Sequence, residues 1–444
     1  MSIRVTMIGG GSSSFVPPLL RRFIRSDELG DAELVLMDVD AARLETMVKL
    51  AGKLVEAEAS PLRVSGTLDQ REALTGTDFV IAAISVGGME AWADDIEIPA
   101  RYGIFMNVCD SVGPGGIFRT LRNAPVLESV ARDVAELAPG ARIFNYTNPA
   151  PVEALAMLTV PGAEVISLCS CTQHPASAEW LARQAGLEPE LIEMPPLVGG
   201  INHCAGVTEL RLRDGRDGLA LARERAEEPV VRFALETYGV LPYCWPHWTE
   251  FYPQMQRLDR PYEGRAQGLP MRYGITIHDM DNERARVSEV ADLVSAWTAP
   301  DAGPVTLADL PPGAEEEGIE VIEIIEAIVA NRSEVHIVNA RNDGAIENLP
   351  ADAVVECLAE VNGHGVSPLR SGPLEEAYAA HLRRYVDVQK AMVRAALSGS
   401  REELLRAFTL DPMTQAYCDL DGTVAMMDEM LAANEHYLPR FQTS

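Results

Sequence analysis

The 444-residue chain has no apolar run of the roughly 18–20 residues that a membrane-spanning helix needs. It opens Met1-Ser2-Ile3-Arg4-Val5 and enters a strand-like pattern at once, with no basic segment leading into an apolar stretch. A secretory leader is therefore not expected. Clusters of Lys and Arg are missing too: 37 basic residues stand against 66 acidic ones, a formal net charge of −29. Without a basic patch, neither nucleic acid nor an anionic membrane is an expected partner. The seven cysteines (Cys109, Cys169, Cys171, Cys204, Cys244, Cys357 and Cys418) are odd in number and scattered. They suit the reduced thiols of a cytoplasmic protein better than a disulfide framework. Internal repeats and low-complexity tracts are likewise absent. What the chain does have, 47% hydrophobic and 23% charged residues, supports a sizeable core and excludes disorder.

The first half alternates strand and helix patterns. Ile3 to Ile8 is a short apolar run ending in Gly9-Gly10-Gly11-Ser12, and Phe15 to Ile24 then has helical spacing. Glu33 to Asp38 reads as a second buried strand, followed by a helix from Ala41 to about Glu58. Phe79 to Ser85, Arg142 to Asn145 and Glu164 to Cys169 read as later strands. Apolar runs separated by helical stretches imply a parallel sheet with helices on both faces. From about residue 199 the pattern is less regular. Long helices are expected near Glu316 to Asn331, Leu374 to Ser398 and Gly422 to Asn434, with short strands at Val335 to Val338 and Ala353 to Glu356. The expected fold class is α/β: a Rossmann-type doubly wound parallel sheet over residues 1–198, plus a mixed α+β domain over 199–444, as in lactate and malate dehydrogenases.

The glycine turn after the first strand suits a dinucleotide. Gly9 and Gly11 permit a tight turn and a close backbone approach, and the amides of Ser12 and Ser13 open the following helix, where a pyrophosphate can sit. Ser14 replaces the third glycine of the usual fingerprint. Asp38 ends the second strand, where a carboxylate takes the ribose hydroxyls of NAD and repels a 2′-phosphate. The plainer alternative is an ordinary strand–helix turn with a surface Asp. Val86 and Gly87, after a later strand, fall at the same carboxyl edge and are either a cofactor loop or a flexible one.

Several stretches together resemble the NAD- and metal-dependent family-4 glycoside hydrolases. They are Gly9-Gly10-Gly11-Ser12, Asp110-Ser111-Val112-Gly113-Pro114-Gly115-Gly116, Asn145-Tyr146-Thr147-Asn148-Pro149, Leu168-Cys169, Gly200-Ile201-Asn202-His203 and Asn348-Leu349-Pro350. Arg101-Tyr102-Gly103-Ile104 through Arg119, and His247-Trp248-Thr249-Glu250-Phe251, look most like the α-galactosidase and α-galacturonidase-like branch. That family stands outside the two-carboxylate scheme of glycoside hydrolysis. The resemblance implies a cycle in which a hydride leaves the third sugar carbon for NAD. The resulting ketone acidifies the second carbon, the aglycone is eliminated, water adds and the hydride returns. A divalent metal, Mn²⁺ first and Co²⁺ or Ni²⁺ next, would polarise the sugar oxygens.

By the same resemblance Cys169 and His203 are the metal ligands, Asn145 lies in the cofactor segment, and Asn148 and Asn202 bind substrate. Read without the flanking motifs, the Cys and His would pass as ordinary buried residues and Asn148 as a turn residue before Pro149. Two departures affect the acid and base. Ser170 follows the metal cysteine where relatives often carry Asp or His. The Asp of the closest branch is replaced, with Trp245 at or near its place. Tyr243 and His247 are then the available bases, and Asp110 is a candidate acid or a carboxylate that orients a ligand. Either base candidate could instead be a packing residue. Trp245, Trp248, Phe251 and Tyr252 could form a sugar platform or a buried hinge. Arg284 and Arg286 suit an acidic group on the sugar or surface ion pairs. A homodimer or homotetramer is the implied assembly. Competing functions are an NAD-dependent dehydrogenase of a hydroxy acid or polyol, and a non-catalytic NAD-binding sensor.

Overall fold

The structure is a computed structural model that describes residues 2–173, 177–310 and 319–442. Six parallel strands open the chain: β1 (Arg4–Ile8), β2 (Glu33–Met37), β3 (Arg63–Thr67), β4 (Phe79–Ala82), β5 (Arg142–Asn145) and β6 (Glu164–Ser167). Their order, β3-β2-β1-β4-β5-β6, is that of a Rossmann sheet. Successive side chains point to opposite faces, and here both faces are apolar. Val5, Met7, Leu34, Leu36 and Phe144 pack into one core layer, while Ile8, Val35, Met37, Val80 and Ile143 pack into another. The expected strands are therefore present, shorter by a residue or more where a turn begins. The helix after the glycine turn runs Val16–Arg25. β3 is absent from the sequence expectation because Arg63-Val64-Ser65-Gly66-Thr67 lies at the sheet edge and is mostly exposed, so it carries no apolar run.

The second half does not build a separate sheet. It contributes β7 (Leu197–Ile201), β8 (Cys204–Glu209), β9 (Leu241–Pro242), β10 (Glu334–Arg341), β11 (Val354–Asn362) and β12 (Gly365–Pro368). β10 pairs antiparallel with β6, and the path continues β10-β11-β7-β8-β9 with β12 on β11. The expected division at 198/199 thus falls inside β7. The short strands expected at 335–338 and 353–356 extend to eight and nine residues. The expected helices occupy Ile319–Val329, Glu376–Ser398 and Leu420–Ala433, and the residues 316–318 lie outside the described ones. None of the helices described is long and apolar enough to cross a membrane.

The helix Glu376–Ser398 buries Tyr378, Leu382, Tyr385 and Met392 against the long helix Gly113–Leu137 in the largest core cluster. Trp248, Phe251 and Tyr252 belong to that core. Trp248 stacks on Tyr252 at 4.0 Å between ring centres, and Tyr252 on His381 at 4.2 Å. Of the four aromatics considered for a sugar platform, these three are packing residues, and only Trp245 is half-buried.

One buried ion pair of the first half reaches the second half through a hydrogen bond to Asn434. Arg122 donates to both carboxylate oxygens of Asp95, at 3.0 and 2.5 Å, to Asn434 Oδ1 at 2.8 Å and to the Val86 carbonyl at 3.1 Å. Both charged side chains are at most 1% exposed. Removing one partner of such a pair strands the other charge. Arg122→Met is therefore expected to cost about 3–5 kcal/mol in denaturant unfolding, with Asp95→Leu in the same chain restoring much of it. If the double variant were no more stable than the single one, the charge argument would be wrong.

Candidate active site

Parallel strands end on one edge of their sheet, and ligands collect in the crevice outside it. The turn after β1 lies there. The amides of Gly9 and Gly10 both donate to the Met37 carbonyl, and that of Gly11 donates to Asp38 Oδ2 at 2.8 Å. Gly9 has φ +96°, and a Cβ there would lie 2.1 Å from the Ala83 carbonyl oxygen, so only glycine lets this turn settle against the end of β4. Ser12 and Ser13 follow in the turn that opens the Val16–Arg25 helix. Gly87, at φ +84°, caps the helix Gly88–Arg101, and the Val86 amide donates to Asn123 Oδ1 at 3.0 Å. The nucleotide candidates thus share one edge, with the half-buried Asp38 beside the glycine turn.

Beyond β5, Asn145 is fully engaged: its amide donates to the Thr147 carbonyl and Ser167 Oγ, and its oxygen accepts from the Thr147 amide. It shapes the turn that presents Asn148. The Asn148 Nδ2 donates to Asp110 Oδ2 at 2.9 Å, and the Ser111 hydroxyl donates to Asp110 Oδ1 at 2.7 Å. Ser111 Oγ also lies 2.7 Å from His203 Nδ1. The hydroxyl has one proton, and with that given to Asp110 it accepts from Nδ1–H. Nε2 of His203 is then the nitrogen available to a metal, which would take the place of its proton. His203 sits at φ +64° in the two-residue turn between β7 and β8, a left-handed conformation that is strained for a histidine.

Cys169, just past β6, completes the centre. The ligand atoms of Cys169, Cys171 and His203 lie within 4.8 Å of one another, as do those of Asp110, His203 and His247. The rings of His203 and His247 are 4.1 Å apart. Burial disfavours a charged His203, but the Cys169 sulfur outweighs it and, with Asp110, holds the imidazole at about 9. The Cys169 thiol is pushed up by its contact with the Cys171 sulfur and by burial. His247 moves the other way: burial and then the neighbouring His203 lower it, leaving its imidazole neutral. Burial would raise the Asp110 carboxyl, but His203, His247 and Arg119 hold it below the ordinary value.

The remaining candidates are held by partners of their own. The buried Tyr243 hydroxyl donates to the Thr172 carbonyl at 3.0 Å, bracing the segment that carries Cys169 and Cys171, and burial raises it. Asn202 Nδ2 reaches Glu356 Oε1 at 3.4 Å. On the helix Met280–Thr298, Arg284 pairs with Asp281 of the same helix and with Glu90 of the helix Gly88–Arg101, and Arg286 pairs with Glu283. Surface ion pairing is what these two arginines do in this structure.

Three residues that were not singled out matter as much. Glu356 in β11 is buried and accepts from both Asn202 and Asn339 Nδ2. An acid inside the apolar run Val354-Val355-Glu356-Cys357-Leu358 was the available signal, since acids are rarely buried without a partner. Arg119 donates to the Asn148 carbonyl, lies over the Trp92 ring at 5.1 Å, and has a buried Nη1 with no partner. Asn202 Oδ1 and His247 Nδ1 are also buried without partners. Each such atom costs about 1–3 kcal/mol, so three around one centre point to a polar ligand. Third, Glu250 Oε1 accepts from the Val108 and Cys109 amides at 2.7 and 2.9 Å and so fixes the segment that carries Asp110.

Known proteins resemble this chain along most of its length. The model of the family 4 glycosyl hydrolases matches residues 4–183, and that of their C-terminal domain matches 198–414. An α-galactosidase of Rhizobium meliloti is 31% identical over 99% of this chain and 90% of its own, and one of Bacillus subtilis is 30% identical over 99% and 100%. Among solved structures, one assigned as a Bacillus subtilis glucosidase superposes with a TM-score of 0.80 at 26% identity, over 97% of this chain and 100% of that one. A 6-phospho-α-glucosidase from gut microorganisms, in complex with NAD and Mn²⁺, gives 0.78 at 23% identity over 99% of each chain. A Plasmodium falciparum malate dehydrogenase shares the fold at 0.51 and 11% identity, over 90% of this chain and 99% of its own.

Burial, and then the Asp110 charge, raise Glu250 from 4.5 to about 8. A carboxyl raised on folding contributes stability below its unfolded pKa and loses it as pH rises through the folded one. Glu250→Gln keeps the acceptor for both amides and cannot ionise. The variant is expected to lose less unfolding free energy than the parent between pH 4.5 and about 8. Parallel pH–stability curves for the two proteins would contradict this.

Proposed function

The chain belongs to the family 4 glycosyl hydrolases, and on that premise we propose that it hydrolyses an α-linked galactoside with the help of NAD and a divalent cation. The observation that carries this is the convergence of Cys169, His203, Asn148 and His247 at the sheet edge that also holds the glycine turn and Asp38. α-Galactosidases at 31% and 30% identity support the sugar and the anomer.

The residues fit both groups. A thiol and an imidazole with Nε2 free make a mixed pair suited to Mn²⁺, Co²⁺ or Ni²⁺, and leave positions open for oxygen ligands. The glycine turn and Asp38 suit the pyrophosphate and ribose of NAD. When bound, NAD would take and return a hydride at the third sugar carbon, and the cation would polarise the adjacent oxygens.

The protein supplies position and proton transfer. Asp110 and Ser111 set the tautomer of His203, and Asn148, held by Asp110, directs its amide at sugar hydroxyls. His247 is neutral and has an unpartnered Nδ1, which makes it the base for the proton on the second sugar carbon. Asp110 is committed to Ser111 and Asn148, and the Tyr243 proton to Thr172, so both serve as positioning residues. Asn202, through its unpartnered oxygen, faces substrate. Residues 1–198 form the nucleotide half and 199–444 the half that completes the metal and sugar site. Seven free thiols favour a reducing, cytoplasmic setting, and a homodimer or homotetramer is the proposed assembly.

A nitrophenyl α-galactoside assayed with NAD, Mn²⁺ and a reductant should release nitrophenol only when NAD is present, with no accumulation of NADH. Steady NADH production from a hydroxy acid or polyol would instead identify a dehydrogenase. Cys169→Ser and His203→Ala are each expected to lower kcat/KM by at least about a hundredfold, with metal dependence lost. His247→Gln should lower kcat by about 10²–10⁴ while Mn²⁺ still binds. Unchanged kcat in that variant would remove His247 from the chemistry.

A further inference from the structure

A second group of soft ligands adjoins the first and shares His247 with it, while its two thiols have no part in the chemistry proposed above. The Sγ atoms of Cys171 and Cys244 and an imidazole nitrogen of His247 lie within 4.8 Å of one another. Cys171 stands in the short helix after β6, and Cys244 and His247 stand at the start and within the short helix Trp245–Trp248. Two independent segments of the chain therefore converge on one point. All three residues are half-buried, so an ion can reach them, and no disulfide joins the thiols. The buried His247 Nδ1 has no hydrogen-bond partner. A tetrahedral ion with Zn–S near 2.3 Å spaces its ligand atoms about 3.5–3.8 Å apart. A set already within 4.8 Å closes on such an ion with side-chain movements on the order of 1 Å.

We propose that Cys171, Cys244 and His247 form a second metal site, selective for a thiophilic divalent ion such as Zn²⁺ and separate from the Cys169/His203 pair. Two thiolates and one imidazole are a recognised zinc donor set with a fourth position left for water. Softness divides the two sites. The single sulfur at Cys169 leaves room for oxygen ligands that Mn²⁺ tolerates, whereas a second thiolate favours Zn²⁺ over Mn²⁺. The sites are neighbours, because Cys171 also lies within reach of Cys169 and His203, and His247 within reach of His203 and Asp110. If the function proposed above holds, an ion that takes the His247 imidazole removes the base, and Zn²⁺ is an inhibitor acting beside the activating ion.

The test uses the full-length chain, reduced and stripped of metal with a chelator, then titrated with Co²⁺ and afterwards with Zn²⁺. Cys169→Ser/His203→Ala should keep a strong sulfur-to-cobalt charge-transfer band that Zn²⁺ abolishes. Cys171→Ser/Cys244→Ser should retain only the weaker band of a single sulfur, and adding Cys169→Ser should remove that as well. Circular dichroism shows whether each variant is folded. Should a double variant fail to fold, Cys244→Ser alone is expected to weaken both the band and the hold on Zn²⁺. The proposal is overturned if the band disappears in Cys169→Ser/His203→Ala, or if it keeps full intensity without Cys171 and Cys244. Over saturating Mn²⁺, Zn²⁺ should suppress galactoside turnover in the parent and suppress it less in Cys244→Ser. A chain that shows the two-sulfur band but hydrolyses no galactoside would contradict the functional proposal and uphold the second site.

Discussion

A single row of strand pairing holds the site together. Ser167 of β6 pairs with Asn339 of β10, Asn339 with Glu356 of β11, and Glu356 with Gly200 of β7. Ser167 is two residues before Cys169, and Gly200 is three before His203. The row therefore sets the separation of a thiol and an imidazole that are far apart in the chain. Side chains reinforce it: Asn339 and Asn202 both donate to Glu356, and Asn145 donates to Ser167. A slip of one residue in any of these pairings would turn the row to the other face and separate the ligands. The antiparallel half is thus continuous with the nucleotide sheet for a reason. The pairing of β10 with β6, and of β11 with β10 and β7, carries the β7–β8 turn into the same sheet as β6.

Around that row the protein gathers polar groups that are costly to bury. A net charge of −29 gives no general attraction for a pyrophosphate or a sugar hydroxyl. Local arrangements do that work. Arg119 and His203 offset the charge of Asp110, and Glu250 ties down the Asp110 segment through two amides. Left-handed backbone at Cys109 and His203 adds strain on both sides of the Asp110–Ser111–His203 chain. The fold sustains these costs through the aromatic and aliphatic core beneath, where Trp248, Phe251 and Tyr252 are sealed against Tyr378, Tyr385 and His381 of the helix Glu376–Ser398.

Much of this was legible beforehand, for physical reasons. β1, β2, β4, β5 and β6 are covered on both faces, so they read as continuous apolar runs; β3 is covered on little of its surface and reads as nothing in particular. The glycine turn was recognisable because backbone crowding there tolerates no side chain. The ordered motifs identified the family, and the resemblance in turn singled out Cys169 and His203 as the proposed ligands. Roles that depend on a partner were harder to see. His247 and Tyr243 looked alike as bases, and the difference lies in a hydrogen bond to the Thr172 carbonyl. Arg284 and Arg286 suited either an anionic sugar group or surface ion pairs, and only the structure places Glu90, Asp281 and Glu283 beside them; for Tyr243 the partner is the Thr172 carbonyl.

Local pattern alone therefore determined the doubly wound sheet and the glycine turn, and the ordered motifs pointed to the family, from which Cys169 and His203 are proposed as metal ligands. Those features are written in runs of neighbouring residues, where period, glycine placement and motif order carry the information. Only the tertiary structure decided that both halves share one sheet, that Glu356 anchors the centre, and that Cys171 and Cys244 meet at His247. Each of these is a contact between residues distant in the chain. Strand register and helix packing create such contacts, and no stretch of sequence contains them.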